Sequence, residues 1–358
     1  MRVSRFLLAV SGLALAVAGL AAAQVGAAGQ TAAAGGQVAA VAPQLVILDT
    51  DIGDDIDDAF ALALALHSPE LRLLGITTEY GDTELRVRLL DRYLMAVGRS
   101  DIPVVAGLPT KAANVFTQSA YALLPFDKCS RFAISSFKED QDAYDACEQE
   151  RNRRDADSFI LRLIRAHPGE ITLIAIGPLF NIQAAIESDP ETFRKLKRVV
   201  MMGGSIFRGY DGKTGERRPA DAEWNISRDP AGLRALLGSG VPVFMMPLDS
   251  TQIHLETEER EAIFSHGSPL TDQLTLLYHQ WLAGNEAHTS APTLFDPVAV
   301  AYAVRPELCP VTPMRLEVDD KGFTRSVDGP PNAQVCLESD EGRFLELLLG
   351  RIARDEGR

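Results

Sequence analysis

From residue 45 onward, apolar runs of strand length alternate with segments of helix length. Leu45-Val46-Ile47-Leu48 is a short apolar run suited to a buried strand. An acid-rich turn follows, and residues 59–66 then alternate Ala and Leu. Period alone reads that run as a strand. Ala and Leu are strong helix formers, however, and His67-Ser68-Pro69 closes the run, so a buried helix is expected. Residues 71–77 read as the second strand, 84–97 as an amphipathic helix and 103–106 as the third strand. This strand–helix alternation predicts an α/β domain with a mostly parallel sheet flanked by helices.

The pattern lapses over residues 110–155, which are polar and hold two cysteines; they read as an inserted, lid-like segment. Alternation then resumes, with helices at 158–166, 180–187, 230–237, 270–283 and 297–304. Strands are expected at 171–176, 198–202 and 241–246. Residues 312–337 look like a small antiparallel addition turning at Asp328-Gly329-Pro330, and 341–354 close the chain as a helix. No internal repeat appears, so residues 44–358 read as one catalytic domain.

The first 43 residues are of another kind. Arg2 and Arg5 precede an apolar run from Phe6 to Leu20, and Ala21-Ala22-Ala23 then offers a small-residue cleavage site. Residues 1–23 thus read as a signal peptide, and 24–43 as a flexible Ala/Gly-rich linker. The mature protein is expected to be exported, periplasmic or extracellular, without a stable membrane anchor. The cysteines fit that compartment. An even count of four suggests disulfides, the sequence-local pairing being Cys129–Cys147 and Cys309–Cys336. A net charge of −14 argues against sequence-independent binding to nucleic acid and suits divalent cations and neutral substrates.

The candidate chemistry lies in Asp49-Thr50-Asp51-Ile52-Gly53-Asp54-Asp55-Ile56-Asp57-Asp58, directly after the first strand. Ligands in α/β sheets bind at the carboxyl ends of strands. Like charges packed this densely cost energy unless a cation or solvent screens them, and carboxylates without histidine or cysteine suit a hard cation, Ca²⁺ or Mg²⁺; a solvated acidic loop is the plainer alternative. The turn is not an EF-hand loop, because Gly53 and Asp54 fall where that loop needs acid and glycine. A haloacid-dehalogenase-type phosphohydrolase also places D-x-D after its first strand, but Gly53 stands where it carries threonine or valine. The halves Asp49-Thr50-Asp51-Ile52-Gly53 and Asp57-Asp58-Ala59 resemble instead the D-T-D-x-G and D-D-A opening of the inosine–uridine-type nucleoside hydrolase family, with two extra residues between them.

The resemblance continues in the family's order. Ile76-Thr77-Thr78 with Gly81, Ala106-Gly107, Ile174-Ala175-Ile176-Gly177-Pro178-Leu179 with Asn181, and Val199-Val200-Met201-Met202-Gly203-Gly204 resemble its successive strand ends. Ala222-Glu223-Trp224-Asn225 with Asp229-Pro230 resembles its sugar-binding segment, and Phe295-Asp296-Pro297 its late [HF]-D-P segment. The resemblance implies a Rossmann-like open fold, a tightly bound Ca²⁺, and hydrolysis of the N-glycosidic bond of ribonucleosides to free base and ribose. It implies Asp51, Asp58, Asp296 and the Ile176 carbonyl as metal ligands, with Asp51 also the base for a metal-bound water. It implies Asp57, Glu223 and Asn225 on ribose hydroxyls, with Met202 and Trp224 lining the sugar pocket. A homodimer or homotetramer is implied as well.

Two positions depart from the family. Phe295 stands where many purine-active members carry a histidine that assists base departure, and a phenyl ring cannot donate a proton. Asp82 stands where members often have an asparagine near the sugar. His288 is a candidate substitute for the missing acid, and Asp54 and Asp55 in the extra stretch have no assigned part. Two alternatives stay open here: a metal-dependent phosphohydrolase, and a binder on the same fold that no longer turns over.

Overall fold

The structure is a computed structural model that describes residues 42–111, 116–123, 155–212, 215–284 and 291–353. Among these residues nine strands form one sheet: β1 (Gln44–Thr50), β2 (Leu71–Thr78), β3 (Val104–Ala106), β4 (Ile171–Ala175), β5 (Arg198–Met202), β6 (Val243–Met246), β7 (Val311–Val318), β8 (Thr324–Val327) and β9 (Ala333–Cys336). Their order is β3-β2-β1-β4-β5-β6-β9-β7-β8. All pairs from β3 across to β9 are parallel, and β7 pairs antiparallel with both β9 and β8. This is the expected Rossmann-like sheet, and its order reverses between β1 and β4. A crevice opens at such a switch point, above the carboxyl ends of the two strands.

The helices are α1 (Asp57–Leu66), α2 (Thr83–Ala96), α3 (Ser119–Leu123), α4 (Ala156–Ala166), α5 (Phe180–Ser188), α6 (Pro190–Phe193) and α7 (Trp224–Arg228). They continue with α8 (Pro230–Gly238), α9 (Leu248–Thr251), α10 (Thr257–Phe264), α11 (Pro269–Gly284), α12 (Pro297–Val304) and α13 (Glu341–Ile352). Alternate residues of each central strand feed opposite faces of the sheet. Val46 and Leu48 of β1 join a core with α1, α2, α11, α12 and α13. Ile47 joins the other core, with α4, α5 and α8. The Ala/Leu run of α1 is buried on nearly all sides, which is why its apolar pattern carries no helical period. No described helix is long and apolar enough to cross a membrane.

One turn falls elsewhere than expected. The antiparallel hairpin is β7–β8, and it reverses at Asp319–Phe323, not at Asp328-Gly329-Pro330. The Asp319 carboxylate accepts from the N–H groups of Lys321 (2.9 Å) and Phe323 (3.1 Å), and Gly322 takes φ +88°. The local Asx turn therefore outcompetes the Gly-Pro signal. Asp328-Gly329-Pro330 instead lies in the connection that carries the chain to β9, on the other side of β7. Of the 110–155 segment, only α3 and its flanks are described. The proposed Cys129–Cys147 pair and His288 lie outside the described residues.

Cys309 and Cys336 form the expected disulfide, 27 residues apart. Replacing both by serine removes a loop constraint worth about 3 kcal/mol in the chain-entropy model. The expected result is a matching loss in urea-unfolding stability, and unchanged stability would mean the link constrains little.

Candidate active site

The acid-rich turn joins β1 to α1 and is built by one buried cation. Arg86 of α2 is 1% exposed. It donates to the carbonyls of Asp51 and Ile52, to the Tyr80 carbonyl at 2.9 Å and to the Asp54 carboxylate at 2.8 Å. Its guanidinium also lies 4.8 Å from the Phe116 ring centroid. Gly53 has φ +125°, and a Cβ there would come within 2.7 Å of that ring, so the turn requires glycine. Arg86 shares the buried face of α2 with Leu89, Leu90 and Tyr93. A charged residue on that apolar stripe was the signal by which sequence reasoning could have found it.

Four carboxylates are buried around this turn: Asp51, Asp57, Asp58 and Asp296. Asp57 and Asp58 open α1, where the helix dipole favours negative charge. The Thr50 hydroxyl donates to Asp58 at 2.5 Å, and the Asp296 N–H donates to Asp57 at 3.1 Å. Asp296 precedes α12 at the N-cap position, yet its side chain makes no capping bond. Oxygen atoms of Asp57, Asp58 and Asp296 lie within 4.8 Å of one another. An all-oxygen, buried donor set without histidine or cysteine fits a hard divalent cation. Asp51 stands outside that trio but lines the same cavity, as does Ile176, one residue past the end of β4.

Burial pushes these carboxyls up. Asp51 rises to about 7, opposed by Arg86 and reinforced by Asp54. Asp57, Asp58 and Asp296 are each raised by burial first and by neighbouring carboxylates second. Further back, Asp49 accepts from Thr77 (2.5 Å) and Asn181 (2.8 Å), and burial still raises it to about 6. Gly177 leaves room for this crowd: a Cβ there would lie 2.6 Å from Glu79 Oε1 and 2.9 Å from Asp51 Oδ1.

Above the acids lies a cavity of about 450 Å³. Of the residues named from the sequence, Asp51, Asp57, Asp58, Ile176, Met202, Glu223, Trp224, Asn225, Phe295 and Asp296 all line it. Asp82 does not. It is exposed, and its carboxylate caps α2 by accepting from the Leu85 N–H at 3.0 Å; capping is the commoner use of an Asp before a helix. Asp54, Asp55, Thr117, Tyr210, Trp281 and Gly284 complete the lining. Their contribution comes from segments that meet only in the fold. The indole of Trp281 hydrogen-bonds Asp55, for example, across more than two hundred residues of chain.

Glu223 caps α7, accepting from Asn225 and Ile226 N–H groups. This brings Asn225 to Met202, its amide 3.4 Å from the Met202 carbonyl and 3.6 Å from the sulfur. Trp224 is 43% exposed and so belongs to the cavity wall rather than the core. Tyr80 meets it edge-on at 6.1 Å, and the Arg228 guanidinium lies 3.8 Å from its ring centroid. Phe295 packs edge-on against Tyr210, with centroids 6.0 Å apart. No histidine is among the described lining residues.

Residues 46–346 match the sequence profile of the inosine-uridine preferring nucleoside hydrolases. The chain is 31% identical to the pyrimidine-specific ribonucleoside hydrolase RihA of Citrobacter koseri, over 86% of its own length and 97% of that protein's. It is also 31% identical to the non-specific ribonucleoside hydrolase RihC of Escherichia coli, over 86% and 98% of the two lengths. Among solved structures it resembles a purine-preferring ribonucleoside hydrolase from Gardnerella vaginalis, with a TM-score of 0.68, 28% identity and coverage of 87% and 98%. A plant nucleoside hydrolase gives the same TM-score at 26% identity, over 87% and 99%.

Two measurements test the electrostatics. Folded, metal-free protein holds protons on carboxyls raised from 3.8 to about 7 (Asp51) and about 6 (Asp49). The unfolded chain releases those protons, so this contribution is complete below about pH 4 and is lost as pH rises through about 7. In chelator, the melting temperature is expected to fall between about pH 5 and 8, and added Ca²⁺ should raise it more at the higher pH. A Ca²⁺ effect independent of pH would contradict this. Separately, Arg86→Met leaves two turn carbonyls and Asp54 without their donor, and is expected to cost about 3 kcal/mol in urea unfolding.

Proposed function

The chain belongs to the inosine-uridine preferring nucleoside hydrolase family and is an N-glycosyl hydrolase of ribonucleosides, and we propose that it works with Ca²⁺ and with Asp51 as general base. The observation that carries this reading is the buried trio Asp57, Asp58 and Asp296, with Asp51 beside it on the same cavity wall. Asp58 and Asp296, joined by Asp51 and the Ile176 carbonyl, would hold the ion. Bound there, such a cation would lower the pKa of a water and supply Lewis-acid stabilisation to sugar hydroxyls.

The protein's own groups do the rest. Asp51, beside the bound cation, takes a proton from the attacking water as oxygen adds to the anomeric carbon. The bond to the base nitrogen breaks, and its electron pair leaves with the base. Positive charge grows on the sugar meanwhile, and Asp57 and its neighbours stabilise it. Direct attack by water inverts the anomeric centre. Asn225 and Met202 border the sugar, and Phe295, Tyr210 and Trp281 give the departing base an apolar wall.

Seven carboxylates and no lysine or arginine line the described cavity. That charge favours neutral nucleosides over nucleotides, and the family match, not the charge, sets the phosphohydrolase alternative aside. The proposal includes export after cleavage near residue 23. Its support is the basic start, the apolar run and the Ala-rich site of the leader.

The test is base and ribose release from a panel of ribonucleosides by protein lacking residues 1–43, with Ca²⁺ and with chelator. Asp51→Asn is expected to lower kcat by about 10²–10⁴-fold while leaving the fold intact. Release that survives both chelator and Asp51→Asn would overturn the assignment. Nucleoside binding without release would identify a binder instead.

A further inference from the structure

Asp54 and Asp55, the two extra residues of the acid-rich turn, take no part in holding the ion or moving the proton. Asp54 is paired with Arg86 at 2.8 Å. Asp55 is exposed, and it faces the cavity that it lines. Its place there is built by other segments. The Gln118 side-chain amide donates to the Asp55 carbonyl at 2.7 Å, and the Thr117 hydroxyl donates to the Asp54 carbonyl at 2.6 Å. The Asp55 carboxylate accepts from the Ile56 N–H at 2.7 Å and from the Trp281 indole. An ionised carboxylate has about four acceptor directions, and these bonds use two of them. They fix a negative charge beside the wall formed by Trp281, Tyr210 and Phe295.

The charge of the whole cavity points the same way. Seven carboxylates line it. A bound divalent cation, Arg86 and the Arg228 guanidinium over Trp224 together offset four of those charges at most. The balance stays negative and attracts a cation more than a neutral molecule. Asp296 is 5% exposed and caps no N–H, and Asp57, Asp58, Asp51 and Asp55 all act on it with like charge. The aromatic wall adds an attraction of the same sign, because the face of an indole, phenol or phenyl ring favours a cation.

Charge on the base also changes what bond breaking demands. When the bond from sugar carbon to base nitrogen breaks in a neutral nucleoside, the base takes the electron pair and leaves as an anion unless a proton is supplied. Phe295 borders the base wall and cannot supply one. When the base is already cationic, the same electron pair neutralises it, and it leaves as a neutral molecule. Water adds its oxygen to the anomeric carbon, and its proton passes to Asp51 and then to solvent.

We propose that the site acts best on ribonucleosides whose base carries a fixed positive charge, a pyridinium or an N7-alkylated purinium, and that Asp55 is the residue that sets this preference. The proposal rests on the ribonucleoside hydrolase reading and names its substrate class.

The test is base release by the Ca²⁺-loaded protein from nicotinamide riboside, a fixed pyridinium, and from inosine and uridine. Wild type and Asp55→Asn are compared, with thermal unfolding as the check on folding. Asparagine keeps an acceptor for Trp281 and Ile56 and removes only the charge. Wild type should favour the pyridinium riboside by roughly tenfold or more in kcat/KM. A pyridinium is also the better leaving group, so the variant separates binding from lability. Asp55→Asn should lose roughly fivefold to tenfold on the pyridinium riboside, through KM, and little on inosine or uridine. Added salt should narrow the gap between wild type and variant. No preference in wild type, or an equal loss on all three substrates, would overturn the proposal. If no substrate releases base, the hydrolase reading fails by itself. Thermal shifts by nicotinamide riboside and by its neutral dihydro form then decide the charge preference: a larger shift with the cation upholds it, and equal shifts sink it.

Discussion

Arg86 reaches out of the buried face of α2 and closes the turn after β1 by holding the carbonyls of Asp51 and Ile52, together with Asp54. A guanidinium is costly to bury, and this one is tolerated because its donors face carbonyl and carboxylate oxygens on one side and the Phe116 ring on the other. What it secures is the direction of Asp51 and the start of α1. The carboxylates of Asp57 and Asp58 then project from the first turn of that helix toward Asp296. Without such a clamp, repulsion among these acids would favour an open, solvated loop.

The acids themselves are left short of positive charge. Arg86 opposes the rise at Asp51 and Asp58 without cancelling it. The metal-free site therefore holds protons at a pH where ordinary aspartates hold none, and proton and cation are alternative occupants of one set of oxygens. This links the fold to the chemistry. The raised carboxyls and a donor set that fits a hard cation come from the same burial.

The wall opposite the acids is a separate construction. The Glu223 cap sets α7, and the β7–β8 hairpin supports it from outside: a Cβ at Gly322 would fall 2.5 Å from the Ser227 Cα, and Ala222 bridges to Phe323. The antiparallel addition at the sheet edge thus braces the segment that presents Trp224 and Asn225 to the cavity. The loop from Ser205 to Gly212, fixed by Asp249 and Gln252, brings Tyr210 and Phe295 together at its edge. The relatives' named preferences for pyrimidine, purine or any base differ across similar chains.

The amino-acid order by itself determined the alternation of buried strands and helices, the acid-rich turn, the Cys309–Cys336 link and most of the cavity-lining residues, because these are local patterns or motifs with fixed spacing. It also pointed to Asp82, which caps a helix, since a motif position does not say whether a carboxylate faces a ligand or a backbone N–H. Only the tertiary structure decided which distant groups meet. It joined Arg86 to the turn at Asp51, Trp281 to Asp55, and Tyr210 to Glu223 and Phe295. Those pairings bridge segments far apart in the chain, and whether a buried polar group is satisfied depends on neighbours that no local pattern records.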